Sequence, residues 1–322
     1  MLEETKHIDL HLPKGWSKST PAELEHIAAS IILCQERQDR YHPFDWSWVK
    51  LRVVLAINGI EIVSMPEKDA DEDISNITYM VKRKEDKEPW PISLGHLHAL
   101  CEKIDWIEDD KAAKTIFLFP YPELTFRKAD GRWLMADDGG SKLSTFFATP
   151  HSRRENSQLL TIVGPPPLLD GYSWQEYRWL CDWMQEYLRV ANTGGDTSDA
   201  RCHFLSVLFK PKDKGTEIDA SLFTDFDLIK WQVILFWWSS LMGQLAKKFP
   251  KVFKQQDVDK GRKKKDSPWD FYNRVIATIQ KYVGGLSEVD VNSASYGTVL
   301  QQLEMMARDA EEMEKINRKY KK

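Results

Sequence analysis

The chain has 322 residues, 45 of them Lys or Arg and 49 Asp or Glu, for a formal charge of -4. At 42% hydrophobic and 29% charged it has the composition of an ordinary globular protein. Its 13 Trp, 14 Phe and 10 Tyr supply enough apolar bulk to exclude global disorder. The near-neutral charge excludes a wholesale nucleic-acid coat, and the length suggests two or three domains.

Met1 to Asp9 is charged, and Pro13 and Gly15 break the first apolar run, so no secretory signal is expected at the start. Thr20-Pro21-Ala22-Glu23 has the form of a capping box with proline at the first helical position. Leu24, Ile27, Ala28, Ile31 and Ile32 continue it at helical spacing. A second apolar segment, Phe44 to Ile57, ends at Asn58-Gly59, and Ile60 to Ser64 reads as a short strand. Residues 67 to 73 carry five acids and one lysine and read as a solvated loop. Strands are predicted at Ile77–Val81, Thr115–Phe119, Ser144–Thr149 and Leu159–Val163, with a short helix after Ser93. Leu124–Lys128 and Arg132–Ala136, joined through Asp130-Gly131, form the clearest hairpin.

Gly164-Pro165-Pro166-Pro167 excludes a helix and marks a boundary. Beyond it the pattern turns helical. Ser173-Trp174-Gln175-Glu176 is a second capping box, and its helix stops at Asn192 to Gly195. Further helices are predicted at Ala200–Phe209 and about Asp225–Phe249. The most apolar stretch, Trp231 to Met242, is 12 residues long, well short of the roughly 20 that a membrane span needs, so it reads as a buried helix. Residues 247 to 265 hold nine basic residues and two acids, for a local charge of +7. Ser267-Pro268-Trp269-Asp270 is a third capping box, and its helix runs through Phe271, Val275, Ile279 and Tyr282 to Gly284-Gly285. The last helix starts near Thr298. Val299, Leu303, Met306, Ala310, Met313 and Tyr320 fall on steps of four and three, with Asn317 at the one polar step, close to a coiled-coil seam.

These elements define an α+β protein. A mixed N-terminal region with a hairpin is followed by a helical region and a long C-terminal helix. The expected domains are 1–164 (α+β), 168–250 (helical), 251–267 (basic linker) and 268–322 (helical).

The chemical motifs are weak. Asp69-x-Asp71-x-Asp73 resembles the start of an EF-hand loop, but Ile74 stands where the turn needs glycine and Met80 where a bidentate Glu would close the shell. His96 and His98 share a face only on a strand, and a helix is predicted there. Cys202 and His203 are adjacent on a predicted helix, where neighbouring side chains diverge. Asp137 to Lys142 has the flavour of a phosphate loop but the wrong spacing. Cys34, Cys101, Cys181 and Cys202 are far apart, as reduced core thiols in a cytosolic compartment would be. No catalytic, metal-ligating or cofactor-binding residue is assigned.

Two features point to binding. Lys260, Arg262, Lys263, Lys264 and Lys265 could contact phosphate backbones by counterion release. The helix around Trp231, Trp237 and Trp238 is apolar nearly all round, so it is either central in a core or contacts another chain.

The opening Leu12-Pro13-Lys14-Gly15-Trp16, with Thr20-Pro21 and Leu24, resembles the start of uncharacterised proteins of tailed-phage and prophage structural modules. Ser267-Pro268-Trp269, the helix to Tyr282, and then Val299, Leu300 and Leu303 are similar to tail-assembly proteins encoded near the tape-measure gene. The resemblance covers about a quarter of the chain, and the long α+β front departs from the small all-helical chaperones of that group. It implies a non-enzymatic structural or assembly protein, in the host cytoplasm or virion-associated, that meets a protein partner or itself without a membrane or cofactor. Trp237, Trp238, Met306 and Met313 are the expected contact residues. The alternative expectation is a nucleic-acid-associated protein acting through residues 260 to 265.

Overall fold

The Thr20 hydroxyl accepts from the Glu23 N–H at 3.3 Å, and the Glu23 carboxylate accepts from the Thr20 N–H at 2.6 Å. This reciprocal pair starts α1 (Pro21–Glu36) where the sequence places it. In the computed structural model, residues 10–38, 43–64, 77–108, 116, 118–129, 132–136, 159–213, 217–253, 277–280 and 286–320 are described. Two compact units organise them: residues 1–116 with 227–237, and residues 117–226 with 238–322. Both helices and antiparallel sheets are present, so the protein is α+β.

In the first unit, α2 (Trp46–Ile57) is capped by Asp45, whose side chain accepts from the Ser47 N–H, and stops at Asn58. Gly59 follows at φ +60, a conformation that costs glycine little. β1 (Ile60–Ser64), β2 (Thr78–Arg83) and β3 (Trp90–Ser93) form an antiparallel sheet in that order. Sequence reasoning missed β3. It carries Pro91, and it occupies an edge, where a missing N–H is tolerated. Ser93 then caps α3 (Leu94–Glu102). Ile60, Val81, Ile92 and Leu97 close a small core between this sheet and α3. Two buried cations are paired: Lys50 with Asp105 at 2.6 Å and Glu108 at 3.3 Å, and Lys230 with Glu25 at 2.9 Å. Trp16 packs edge-on against both Trp106 and Phe236.

In the second unit, β4 (Glu123–Ala129) pairs with β5 (Arg132–Met135) in the register of a two-residue hairpin loop, Ala129 opposite Arg132. β6 (Leu159–Val163) pairs with β4, and a two-residue β7 (Lys210–Pro211) completes the order β5-β4-β6-β7. α4 (Trp174–Asn192) and α5 (Ser198–Leu208) lie between β6 and β7 in the chain. Phe119, Phe209, Phe223 and Phe126 make a continuous line of ring contacts at 5.5 to 5.8 Å. α6 (Leu228–Lys248) gives its first half to one unit and the rest to the other. α7 (Glu288–Ser293) and α8 (Tyr296–Tyr320) finish the chain. No described helix is long and apolar enough to cross a membrane. All four cysteines are free, and Cys34, Cys101 and Cys202 are buried.

Two expectations need correction. The break between units does not fall at residues 164–167. β6 before the prolines pairs with β7 after them, and Gly164 is packed inside the unit. Its N–H donates to the Pro122 carbonyl at 2.9 Å, and a Cβ there would lie 2.4 Å from the Phe119 ring. Ile116, Leu118 and Phe119, the described residues of the strand expected at 115–119, have no strand pairing. Pro120 and Pro122 follow directly, and the Phe119 ring is committed to Phe209. The acidic loop at 67–73, the strand at 144–149, the turn at 137–142, the basic segment 260–265 and the third capping box lie outside the described residues. Of the helix after that box, residues 277–280 are described and helical.

Glu176 closes the capping box of α4. Its carboxylate accepts from the Ser173 N–H at 2.8 Å and pairs with Lys210. Burial alone would raise its pKa. The Lys210 and Ser173 donors outweigh burial and hold the carboxyl below its ordinary value. A depressed folded-state pKa adds stability that is fully present above the unfolded value of about 4.3 and is lost as pH falls through the folded value. Glu176→Gln should destabilise the protein by about 1–2 kcal/mol at neutral pH. In urea titrations the gap to wild type should narrow toward pH 3, and an equal gap at both pH values would contradict the assignment.

Candidate interaction surface on the C-terminal helix

The base of α8 is stapled to the base of α4. Trp174 N–H donates to the Ala294 carbonyl at 2.7 Å and Tyr296 N–H to the Tyr172 carbonyl at 3.1 Å, with Ser173 opposite Ser295. The Tyr296 ring stacks on Tyr177 at 4.9 Å, and Tyr177 stacks on Trp174 at 5.7 Å. The Tyr296 hydroxyl donates to the Leu168 carbonyl. Leu168 and Leu169 are both left-handed, at φ 54 and φ 53. Such backbone costs about 1–2 kcal/mol per non-glycine residue, so it persists only where tertiary contacts hold it. The buried Leu169 side chain and the Tyr296 hydroxyl supply those contacts. Burial, with the charge of Asp170 adding, pushes the Tyr296 hydroxyl up to about 12.

From this base the helix buries Tyr296, Val299, Leu300 and Glu304, one face at i, i+3, i+4, i+8 spacing. Glu304 forms a second anchor. Its carboxylate accepts from the Lys251 N–H at 2.7 Å and the Val252 N–H at 3.2 Å, on the turn that follows α6, and it pairs with Arg308 at 3.2 Å. Lys251 also pairs with Glu311.

Past Glu304 the apolar residues change face. Met305, Met313, Ile316 and Tyr320 are 56%, 57%, 44% and 86% exposed. At about 100° per residue they fall within an arc of about 80°, which also contains Asp309. Every residue from Arg308 to Tyr320 except Glu311 is exposed. After Arg308, which is paired with Glu304, the acids Asp309, Glu311, Glu312 and Glu314 come first, then Lys315, Arg318 and Lys319.

Of the contact residues expected from sequence, Met313 is exposed and Met306 half-buried. Trp237 and Trp238 are 2% and 7% exposed and serve as core, with Trp238 edge-on to Phe204 at 5.2 Å. The structure therefore separates the two tryptophans from the two methionines. Lys260, Arg262, Lys263, Lys264 and Lys265 lie outside the described residues. Sequence reasoning missed Ile316 and Met305 because it took a seam shifted round the helix onto Asn317. Ile316, the lone β-branched residue after Leu300, was the available signal.

The other polar groupings stay local. His96 meets Ser93, and His98 lies 3.5 Å from Glu102, so the two histidines act apart. Burial pushes the Cys202 thiol up, while His203 stacks on Trp183 at 4.4 Å and sits 3.6 Å from Asp199. An open cleft of about 180 Å³ is lined by Trp133, Asp213, Glu217 and Asp219, among others, and Asp219 already accepts from the Ser221 N–H. No group of three His, Cys, Asp or Glu that could hold a metal ion occurs among the described residues. Comparison with protein-family models, with curated proteins and with solved structures finds no match to this chain.

Tyr296→Phe keeps the ring stack and removes the bond to the Leu168 carbonyl. It should destabilise the protein by about 1–2 kcal/mol in thermal or urea unfolding. An unchanged midpoint would contradict the role of that hydroxyl in the clamp.

Proposed function

We propose that this chain is a non-enzymatic structural or assembly protein that works through protein–protein contacts, of the kind its terminal segments resemble in phage tail modules. The observation that carries the reading is the exposed apolar stripe on the second half of α8, a helix whose first half is anchored. A helix that lays an apolar stripe against a partner is a recurrent recognition mode, with anchors at i, i+3, i+4 and i+7 spacing. Here Met313, Ile316 and Tyr320 follow that spacing. The anchored base keeps the helix formed before it binds, which lowers the ordering cost of association. The place of action on this reading is the host cytoplasm or the virion.

A photo-crosslinking residue at position 313, in cells that make the protein, should give a covalent adduct to a protein. The same residue at the exposed position Glu61 should not. No adduct at 313, or equal adducts at both positions, would remove the reading.

A second reading, nucleic-acid binding, rests on the local charge of +7 over residues 247 to 265. Five cations at 260 to 265 on duplex DNA would give a log–log salt slope of about -4 to -5. Replacing Lys260, Arg262, Lys263, Lys264 and Lys265 with Gln should abolish it. Absent or salt-independent binding of the unmodified chain at low salt would exclude this reading.

A further inference from the structure

Taking α8 as the contact helix, we propose that its partner is the same helix of a second copy, lying antiparallel about a two-fold axis between Glu314 and Lys315. The proposal rests on the order of charges along the exposed turns. On the side of the helix that carries the stripe, Asp309 and Glu312 come before Lys319, whereas Glu311 is committed to Lys251 and Glu314 to Arg318. A parallel pair would set acid against acid and base against base. An antiparallel pair sets Glu312 of each copy beside Lys319 of the other, so charge decides the orientation.

The same axis satisfies the apolar stripe. With the two-fold between 314 and 315, Met313 of one copy faces Ile316 of the other. Tyr320 faces Asp309, which explains why a carboxylate sits inside the stripe: it can accept from the tyrosine hydroxyl. One self-complementary patch thus makes an isologous interface, the commonest form of homodimer. The chain leaves these turns open to a partner, since residues 312 to 320 are all exposed.

The contact covers about 13 residues, or about 20 Å of helix. A strip of that length and about one helix diameter, about 10 Å, in width is smaller than the roughly 1,200–2,000 Å² buried in stable complexes, so the dimer is reversible, with a dissociation constant on the order of 10–100 µM at low salt.

Sedimentation velocity of the full chain between about 5 and 500 µM should show monomer passing to dimer, and raised salt should shift the midpoint upward. Ile316→Asp, a change at a half-exposed position, should weaken association at least tenfold without altering the far-UV spectrum. Glu312→Lys and Lys319→Glu should each weaken association at least tenfold, and their mixture should restore the dimer. Orientation is read by oxidation: Asp309→Cys should cross-link to Tyr320→Cys, and Asp309→Cys should not cross-link to itself. A monomer throughout the range, or a dimer indifferent to Ile316→Asp, overturns the inference. So does an Asp309→Cys homodimer cross-link. If the purified chain stays monomeric while the position-313 adduct has a different mass, the self-association fails and the contact reading stands. If no adduct forms either, both fail.

Discussion

A single antiparallel bridge, Ser173 opposite Ser295, holds the starts of α4 and α8 together through the Trp174 and Tyr296 N–H groups. The strand-like bridge is short, but most of the C-terminal helix depends on it. A helix of this kind, with no apolar face along half its length to pack on its own protein, is marginal in water unless something fixes its first turns. The stack of Tyr296 on Tyr177, the hydroxyl on the left-handed Leu168, and Glu304 on the turn after α6 extend the anchor over about two turns. Where the anchor ends, the apolar stripe turns outward. The division of α8 into a held half and an offered half therefore follows from where its polar anchors sit.

The same logic explains the abundance of aromatic residues. Thirteen tryptophans could serve a core or an interface. Among the described residues Trp16, Trp174, Trp231, Trp237 and Trp238 are buried in cores, whereas Trp179 is exposed. Trp16 meets Trp106 and Phe236 in one unit, and Trp174 and Trp238 pack on rings in the other. Trp237 and Trp238 are adjacent on one helix, and both are buried because α6 is apolar nearly all round. The residues left for a partner are Met, Ile and Tyr on a helix with little aromatic content. The surface suited to contact thus lies away from the densest hydrophobic sequence.

Local hydrogen-bond chemistry was legible. The boxes at Thr20–Glu23 and Ser173–Glu176 are closed by groups three residues apart, so the sequence contains the whole interaction. The same grammar occurs at Ser287–Asp290, ahead of α7, where it was overlooked. The antiparallel pairing of β4 with β5 was legible because the two strands are neighbours in the chain. What depends on distant partners was not. β3 and β7 are four and two residues long and exist only because β2 and β6 accept them. Gly164 and the prolines after it read as a boundary, yet the glycine is required by the Phe119 ring pressed against it. On α8, heptad spacing identified a seam but not its phase, because the phase is set by Glu304 and the turn it caps, about fifty residues away in sequence.

The most direct test of this account is residue-resolved hydrogen exchange along α8, in dilute and in concentrated protein. In dilute solution the amides of 300–305 should be strongly protected and those of 310–319 should exchange quickly. At high concentration the second group should slow at least tenfold while the first is unchanged. Uniform protection of the whole helix in dilute solution would contradict the account, and so would exchange at 300–305 as fast as at 310–319.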